Sequence, residues 1–339
     1  MISSRFIIFI GSLVSFICLF LNSCKSPSDQ NDNYNDNFIS IKGKKIGYSS
    51  PSLNAPYYKA LLKSIKDNVL DNNMKFVFRN AEDNPQKQID DINEMITKGI
   101  DILLLNPKNP EMLLAATKNL ESLNIPVFII DGSINQVAEY VTNIQSNNEI
   151  NGQLVGNWLA KKLGPKKMKI ALLSGVKGNP VGMDRRDSVL KGLINEQLNT
   201  FGFTNFEIVS QYFTNWSYEG SKKAINQLIK DNQNINVIIA ESDVCVLGGI
   251  KELDKAKKID DILIVAAADG QKEAVKYIID TDFYGCTAMN GPSIIGKTAV
   301  IYAIQYLKGR RKFLEKTLTP PYLITKDNAV AFYNEASNF

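Results

Sequence analysis

From residue 44 onward the chain repeats one phrase: a short apolar run of strand length, then a stretch with helical period. The runs at 102–105 (Ile-Leu-Leu-Leu) and 127–130 (Val-Phe-Ile-Ile) have no polar interruption. Unbroken runs this short read as parallel strands covered on both faces, because a half-exposed strand would alternate. Strands are expected at 46–49, 74–78, 102–105, 127–130 and 140–144, with helices over 56–72, 85–98 and 109–123 between them. The phrase then restarts. Helices are expected over 149–163, 181–199, 217–230, 244–256 and 271–279, interleaved with strands at 169–173, 206–212, 237–239, 262–267 and 284–288. A long amphipathic helix over 293–307 and a short last strand within 320–325 close the chain. Regular strand–helix alternation gives parallel sheets with right-handed crossovers. Two consecutive sets give two similar α/β lobes, each a doubly wound parallel sheet.

The first residues do not fit this pattern. Met1 to Arg5 carries one positive charge, and 6–21 is apolar apart from Gly11, Ser12 and Ser15. That is the length of a secretory signal core and short for a membrane span. It ends in Leu21-Asn22-Ser23-Cys24. A Leu, small residues and a Cys after such a core resemble a bacterial lipobox, in which the Cys thiol is lipidated and the preceding peptide removed. Asn22 is bulkier than that pattern prefers. Residues 26–38 are rich in Asn, Asp and Ser and have little to bury, which reads as a flexible tether. The expected order is a signal peptide at 1–23, then lipidated Cys24 and the tether to residue 40.

Composition removes several classes of function. Thirty-nine Lys and Arg against 35 Asp and Glu leave a net charge of +4. The charges are dispersed and form no basic stripe, so nucleic acid is not implied. There is no histidine, the commonest general base and metal ligand. Ser–His and Cys–His nucleophile systems are therefore excluded. No G-x-G-x-x-G opens the first helix and no metal-ligand cluster is present, so no cofactor and no metal are expected. Cys245 and Cys286 are the cysteines beyond Cys24. An exported protein could bridge them, but each sits in an apolar segment, which favours two separate buried thiols.

Polar residues recur just after the strands: Asn106, Asp131, Asp243, Asp269 and Asn290. Any one of them could cap a helix or make a turn. Five at the carboxyl edges of two sheets point to a polar cleft, where open α/β sheets bind ligands. At the first such edge, Ser52-Leu53-Asn54-Ala55-Pro56-Tyr57-Tyr58 sets two adjacent rings at the start of a helix. Rings suit the apolar faces of a sugar, and amides and acids suit its hydroxyls. A turn with two half-buried tyrosines is the competing reading.

These segments resemble the periplasmic binding proteins of the ribose/galactose type, the solute receptors of ABC sugar importers. The resemblance spans residues 44–326. The first loop matches the family's aromatic stacking loop at Tyr57 and Tyr58. Gly99 through Pro107 matches its third strand, ending in Asn106, and Asn124 through Asp131 its fourth. In the second half, Gly182-Met183-Asp184-Arg185-Arg186-Asp187 falls where the family carries a sugar-binding Arg, with Arg185 and Arg186 both candidates. Trp216 falls where an aromatic stacks on the opposite face of the sugar. Ser242-Asp243, Asp269 and Asn290 fall at three further binding strand ends. Ribose-type members carry an Arg after the fourth-strand Asp, an aromatic before the last Asp and an Asn before Asp243. Gly132, Ala268 and Ser242 stand at those places, which puts ribose itself in doubt.

The resemblance implies two lobes joined by a multi-strand hinge, 41–145 with 291–319 and 146–290 with 320–339. It implies a monomeric, non-enzymatic protein, exported and held at a membrane through Cys24. Such a protein would close on a sugar and deliver it to an ABC permease. The same domain would also serve a sensor kinase or chemoreceptor that reads the closed form. A repressor of this fold would need a helix-turn-helix ahead of residue 44, where the signal and tether stand.

Overall fold

The computed structural model describes residues 39–134, 139–232, 234–337 and 339. The expected signal, Cys24 and most of the tether lie outside the described residues. Strand β1 (Lys45–Ser50) leads into α1 (Pro56–Asp71), β2 (Lys75–Asn80), α2 (Pro85–Thr97), β3 (Ile102–Leu105), α3 (Leu114–Ser122), β4 (Val127–Ile130) and β5 (Thr142–Ser146). The second set runs α4 (Asn148–Leu163), β6 (Met168–Ser174), α5 (Pro180–Phe201), β7 (Phe206–Phe213), α6 (Tyr218–Lys230), β8 (Val237–Ala240), α7 (Val244–Leu247), α8 (Ile250–Lys255), β9 (Leu263–Asp269), α9 (Lys272–Asp280) and β10 (Tyr284–Met289). Then follow α10 (Pro292–Leu307), β11 (Lys316–Thr319), β12 (Leu323–Thr325) and α11 (Ala329–Phe332). One sheet has the order β11-β5-β4-β3-β1-β2 and the other β12-β10-β9-β8-β6-β7. Every pairing is parallel except β10 with β12.

The pleat explains the apolar strands. In the first sheet Ile102, Leu104, Phe128 and Ile130 face a layer built from α1 and α10. Their neighbours Leu103, Leu105, Val127 and Ile129 face α2 and α3 on the other side. A period-two strand wetted on neither face must be apolar at every position. The second sheet is sandwiched likewise, with α4 and α5 on one face and α6 to α9 on the other. Helix α1 buries Tyr57, Leu61, Ile65 and Val69, a four-residue spacing that keeps one face inward. Helices open where the sequence offers caps: Asn84, Asn147, Asn179 and Ser217 each accept a backbone N–H in the first turn of the following helix. Pro56, Pro85, Pro180 and Pro292 take the first helical position, where a missing N–H costs nothing.

The chain passes from one sheet to the other three times, after β5, between β10 and α10, and between β11 and β12. One buried side chain touches all three crossings. The Asn151 amide nitrogen donates to Ser146 Oγ at 3.1 Å and to the Met289 carbonyl at 2.9 Å, and its oxygen accepts from Tyr322 N at 3.2 Å.

Some local expectations needed correction. The single helix expected over 244–256 breaks at Gly248-Gly249 into α7 and α8. A Cβ at Gly248 would lie 2.1 Å from the Tyr218 carbonyl oxygen, and one at Gly249 2.3 Å from the Ile225 side chain, so α6 packs directly on the break. Helix α3 begins at Leu114 rather than 109, because Asn109 accepts from Glu111 N and Met112 N in a turn. Strand β11 is an addition to the expected strands; its Lys-Thr-Leu-Thr is half exposed at the sheet edge and carries little apolar signal. Helix α10 is less amphipathic than expected, with Ile294 and Ile301 each 40% exposed. Cys245 and Cys286 are two separate buried thiols. No helix among the described residues is long and apolar enough to cross a membrane.

Candidate functional site

The carboxyl edges of the two sheets enclose a cavity of about 120 Å³. From the first lobe, Tyr57, Tyr58, Asn106, Asp131 and Gly132 line it; from the second, Arg185, Trp216, Ser242 and Asp269, with Asn290 at a crossing. Tyr57 and Tyr58 stand in the first turn of α1 because Pro56 starts the helix immediately after the β1 loop. Asn106 follows β3 directly, and Asp131 follows β4 with φ 63°. Trp216 leaves β7 through two consecutive left-handed residues, Asn215 at φ 52° and Trp216 itself at 54°. This turn lays the indole on Gly175, where a Cβ would sit 1.9 Å from the ring.

The polar groups form one chain across the cleft. Asp131 accepts from the Tyr57 hydroxyl at 2.6 Å and from the Asn106 amide at 3.0 Å, one on each carboxylate oxygen. Tyr57 Oη lies 3.4 Å from Asn290 Oδ1. The Asn290 amide nitrogen donates to Asp269 Oδ1 at 3.0 Å, and the Arg185 guanidinium stands 3.6 Å from the same oxygen. Burial pushes the Tyr57 hydroxyl well above its usual range, and the Asp131 charge adds to the effect, so it stays a donor. Burial also raises Asp269, against which the Arg185 charge pulls. Arg185 is held in place by Asn148, which accepts from its Nε at 2.8 Å, and its guanidinium faces the Trp216 ring at 5.9 Å.

Two of the expected residues stand off the cavity wall. Arg186 turns away from Arg185, as neighbours on a helix must, and its Nη1 pairs with buried Glu241 at 3.1 Å. Glu241 also accepts from Gly175 N at 2.8 Å, so this pair fixes the loop under Trp216. Asp243 lies one layer behind Asp269. Its Oδ2 accepts from Asp269 N and Gln271 N, and its Oδ1 from the Tyr284 hydroxyl. Desolvation, then the Asp269 charge, push it up to about 7.

Sequence reasoning missed Lys108 and Asn179, which also line the cavity. Asn179 caps α5 through Gly182 N, so the Asn-Pro start of that helix was its signal. Lys108 follows the Asn106-Pro107 pair and is held by Asp83 at 2.7 Å. Asp83 also accepts from Asn54 at 2.8 Å, which makes Asn54 a loop brace. At Gly132 a Cβ would lie 2.9 Å from Pro107 Cδ and 3.1 Å from Asn106 Oδ1. The close approach of these two strand ends leaves a side chain there little room.

Comparisons with known proteins agree with this architecture. Residues 46–311 match the model of the periplasmic binding protein domain. The ribose import binding protein of Bacillus subtilis is 28% identical over 276 residues, 81% of this chain and 85% of that protein. The D-apiose import binding protein of Paraburkholderia graminis is 26% identical over 285 residues, covering 84% and 88%. Among solved structures, an ABC transporter solute-binding protein from Mycobacterium smegmatis with bound glycerol superposes with a TM-score of 0.79 at 26% identity, over 87% of this chain and 98% of that one. With most of its length matched by that domain, the chain belongs to the periplasmic binding protein family.

Proposed function

We propose that the protein captures a small sugar between its two lobes and delivers it, in the closed form, to an ABC importer. The observation that carries this reading is the set of acids, amides, an Arg and three aromatic rings drawn from both lobes around one small cavity. Tyr57, Tyr58 and Trp216 offer faces for a sugar ring. Asp131 and Asp269 accept hydroxyl protons, and Arg185, Asn106 and Asn290 complete the polar contacts. Hydrogen bonds to charged groups are roughly twice as strong as neutral ones, which suits acids and an Arg to a polyol. A ligand touching both lobes favours the closed form by its differential affinity. The import proteins among the relatives support the importer as the recipient.

The proposal includes export and anchoring. Residues 1–23 act as the signal, Cys24 carries the lipid, and the tether to residue 40 lets the protein work as a monomer at the membrane surface. The lobes are 41–145 with 291–319 and 146–290 with 320–339.

The test is a thermal-shift panel of pentoses, hexoses and polyols on the purified protein. A ligand at a hundredfold its Kd adds about 2.7 kcal/mol of stability, a clear rise in Tm. If no sugar moves Tm while a non-carbohydrate does, the sugar class is wrong. Trp216→Ala is expected to weaken the bound sugar about tenfold or more, through lost ring contact and burial. Titration calorimetry checks this, and a change within about twofold would remove Trp216 from the contact set.

A further inference from the structure

The cations of this chain are scattered in sequence, but the fold gathers one group of them. The strands of the first sheet are all parallel, so their first residues share one edge, and the ligand cavity lies at the opposite, carboxyl edge. At the amino edge Lys42 and Lys75 are exposed, and so are Lys308, Arg311 and Lys312 in the turn between α10 and β11. None of these makes an ion pair among the described residues, and neither does Arg310, whereas Lys44 and Lys98 on the same edge pair with Asp101 and Glu94. Arg310 and Arg311 stand over the rings of Phe313 and Tyr306, at 4.5 and 4.3 Å from the centroids, rather than against a carboxylate. The acids of that edge outside ion pairs are fewer: Asp71, Glu121, Glu139 and Glu315, the last of which accepts from the Tyr140 hydroxyl at 3.4 Å. Leu314, in the same turn as the basic residues, is 73% exposed.

The described chain also starts at this edge. Ile41, Tyr306 and Leu307 pack against one core layer, so the segment that leads back to Cys24 joins the domain beside these cations. We propose that the amino edge of the first sheet rests on a membrane surface of anionic phospholipid, with its Lys and Arg on the headgroups and Leu314 in the interface. This rests on the anchoring reading and extends it. From Cys24 to residue 39 the chain reaches about 50 Å at full extension, so a tether limits distance and leaves orientation free. Unpaired cations supply the orientation: each Lys or Arg near an anionic surface strengthens attachment about fivefold, and an exposed Leu adds apolar contact. The cleft, at the other edge of the sheet, then faces away from the lipid and loads from the medium. The domain leaves the lipid surface to present its loaded cleft to a permease.

The experiment sediments the protein from residue 26 onward, which keeps every described residue of both lobes and carries no lipid, with vesicles. These are phosphatidylcholine alone or phosphatidylcholine with about one-third phosphatidylglycerol. The protein is expected to bind the mixed vesicles and not the neutral ones, and to be released as salt rises. Lys75→Gln, Lys308→Gln and Lys312→Gln together are expected to weaken this binding about tenfold or more, with Tm unchanged. Lys166→Gln, Lys251→Gln and Lys257→Gln remove the same charge from exposed positions on the second lobe and are expected to change it by less than about twofold. Leu314→Trp is expected to add an emission that shifts to the blue on the mixed vesicles. Equal binding to both kinds of vesicle, equal losses in the two triple variants, or an unmoved emission would overturn the inference. Lipidation of Cys24 is read separately, from the mass of the full protein recovered from bacterial membranes, so a failure of the anchor and a failure of this surface are told apart.

Discussion

Asp243 shows how a residue chosen for one role can serve another. Standing one layer behind Asp269, it braces the carboxyl end of β9. Its acidity gives a prediction. A carboxyl raised to about 7 in the folded protein, against about 3.9 unfolded, holds an extra proton between those values. The stability this contributes is full below about pH 4 and is lost as pH rises through about 7, on the order of 4 kcal/mol in all. Asp243→Asn can keep the geometry, with its oxygen accepting both backbone N–H groups and its amide donating to Tyr284. The difference in unfolding free energy between wild type and Asp243→Asn should therefore shift in the variant's favour between pH 5 and pH 8. Urea unfolding at the two pH values measures it, and a constant difference would show that Asp243 keeps an ordinary acidity.

At the scale of elements, α4 and α5 lie so close that their backbones nearly touch. A Cβ at Gly156 would sit 2.0 Å from the Val189 carbonyl, and one at Gly152 would sit 2.7 Å from the carbonyl of Arg185. The contact between the helices thus also fixes the backbone that presents Arg185 to the cleft. Gly156→Ala should cost about 1–3 kcal/mol through overpacking, read as a lower urea midpoint, and should weaken ligand binding as α5 moves outward. An unchanged midpoint would mean that the helices part without strain. The alternation of elements was legible because apolar periodicity is local: 102–105 and 127–130 could hardly be anything but covered strands. The choice between Arg185 and Arg186 was not. It depends on α5 rotating against α4, which is set by glycines some thirty residues away in sequence. Lys108 was hidden for a similar reason, since its position depends on Asp83 in a different loop. Strand β11 drew its place from its parallel neighbour β5 rather than from its own residues.

For the whole molecule, Asn151 is the point where all three crossings meet. Asn151→Ala should lower Tm by several degrees, because it removes the hydrogen bonds that tie the three crossings together, each a net contribution of about 1 kcal/mol. It should also alter the fraction of closed molecules before ligand arrives, seen as a change in radius of gyration by small-angle scattering. Identical scattering profiles would show that the crossings hold their geometry unaided. The apparent Kd scales inversely with the closed fraction, by the same factor for any ligand that binds the closed form. A hinge substitution therefore multiplies every affinity alike and leaves the order of preferred ligands untouched. A change in the cavity wall acts on that order instead, because ligands differ in which lining groups they meet. Strength and choice are thus set by separate residues, and a lineage could retune its grip on a scarce nutrient without relearning which nutrient to hold.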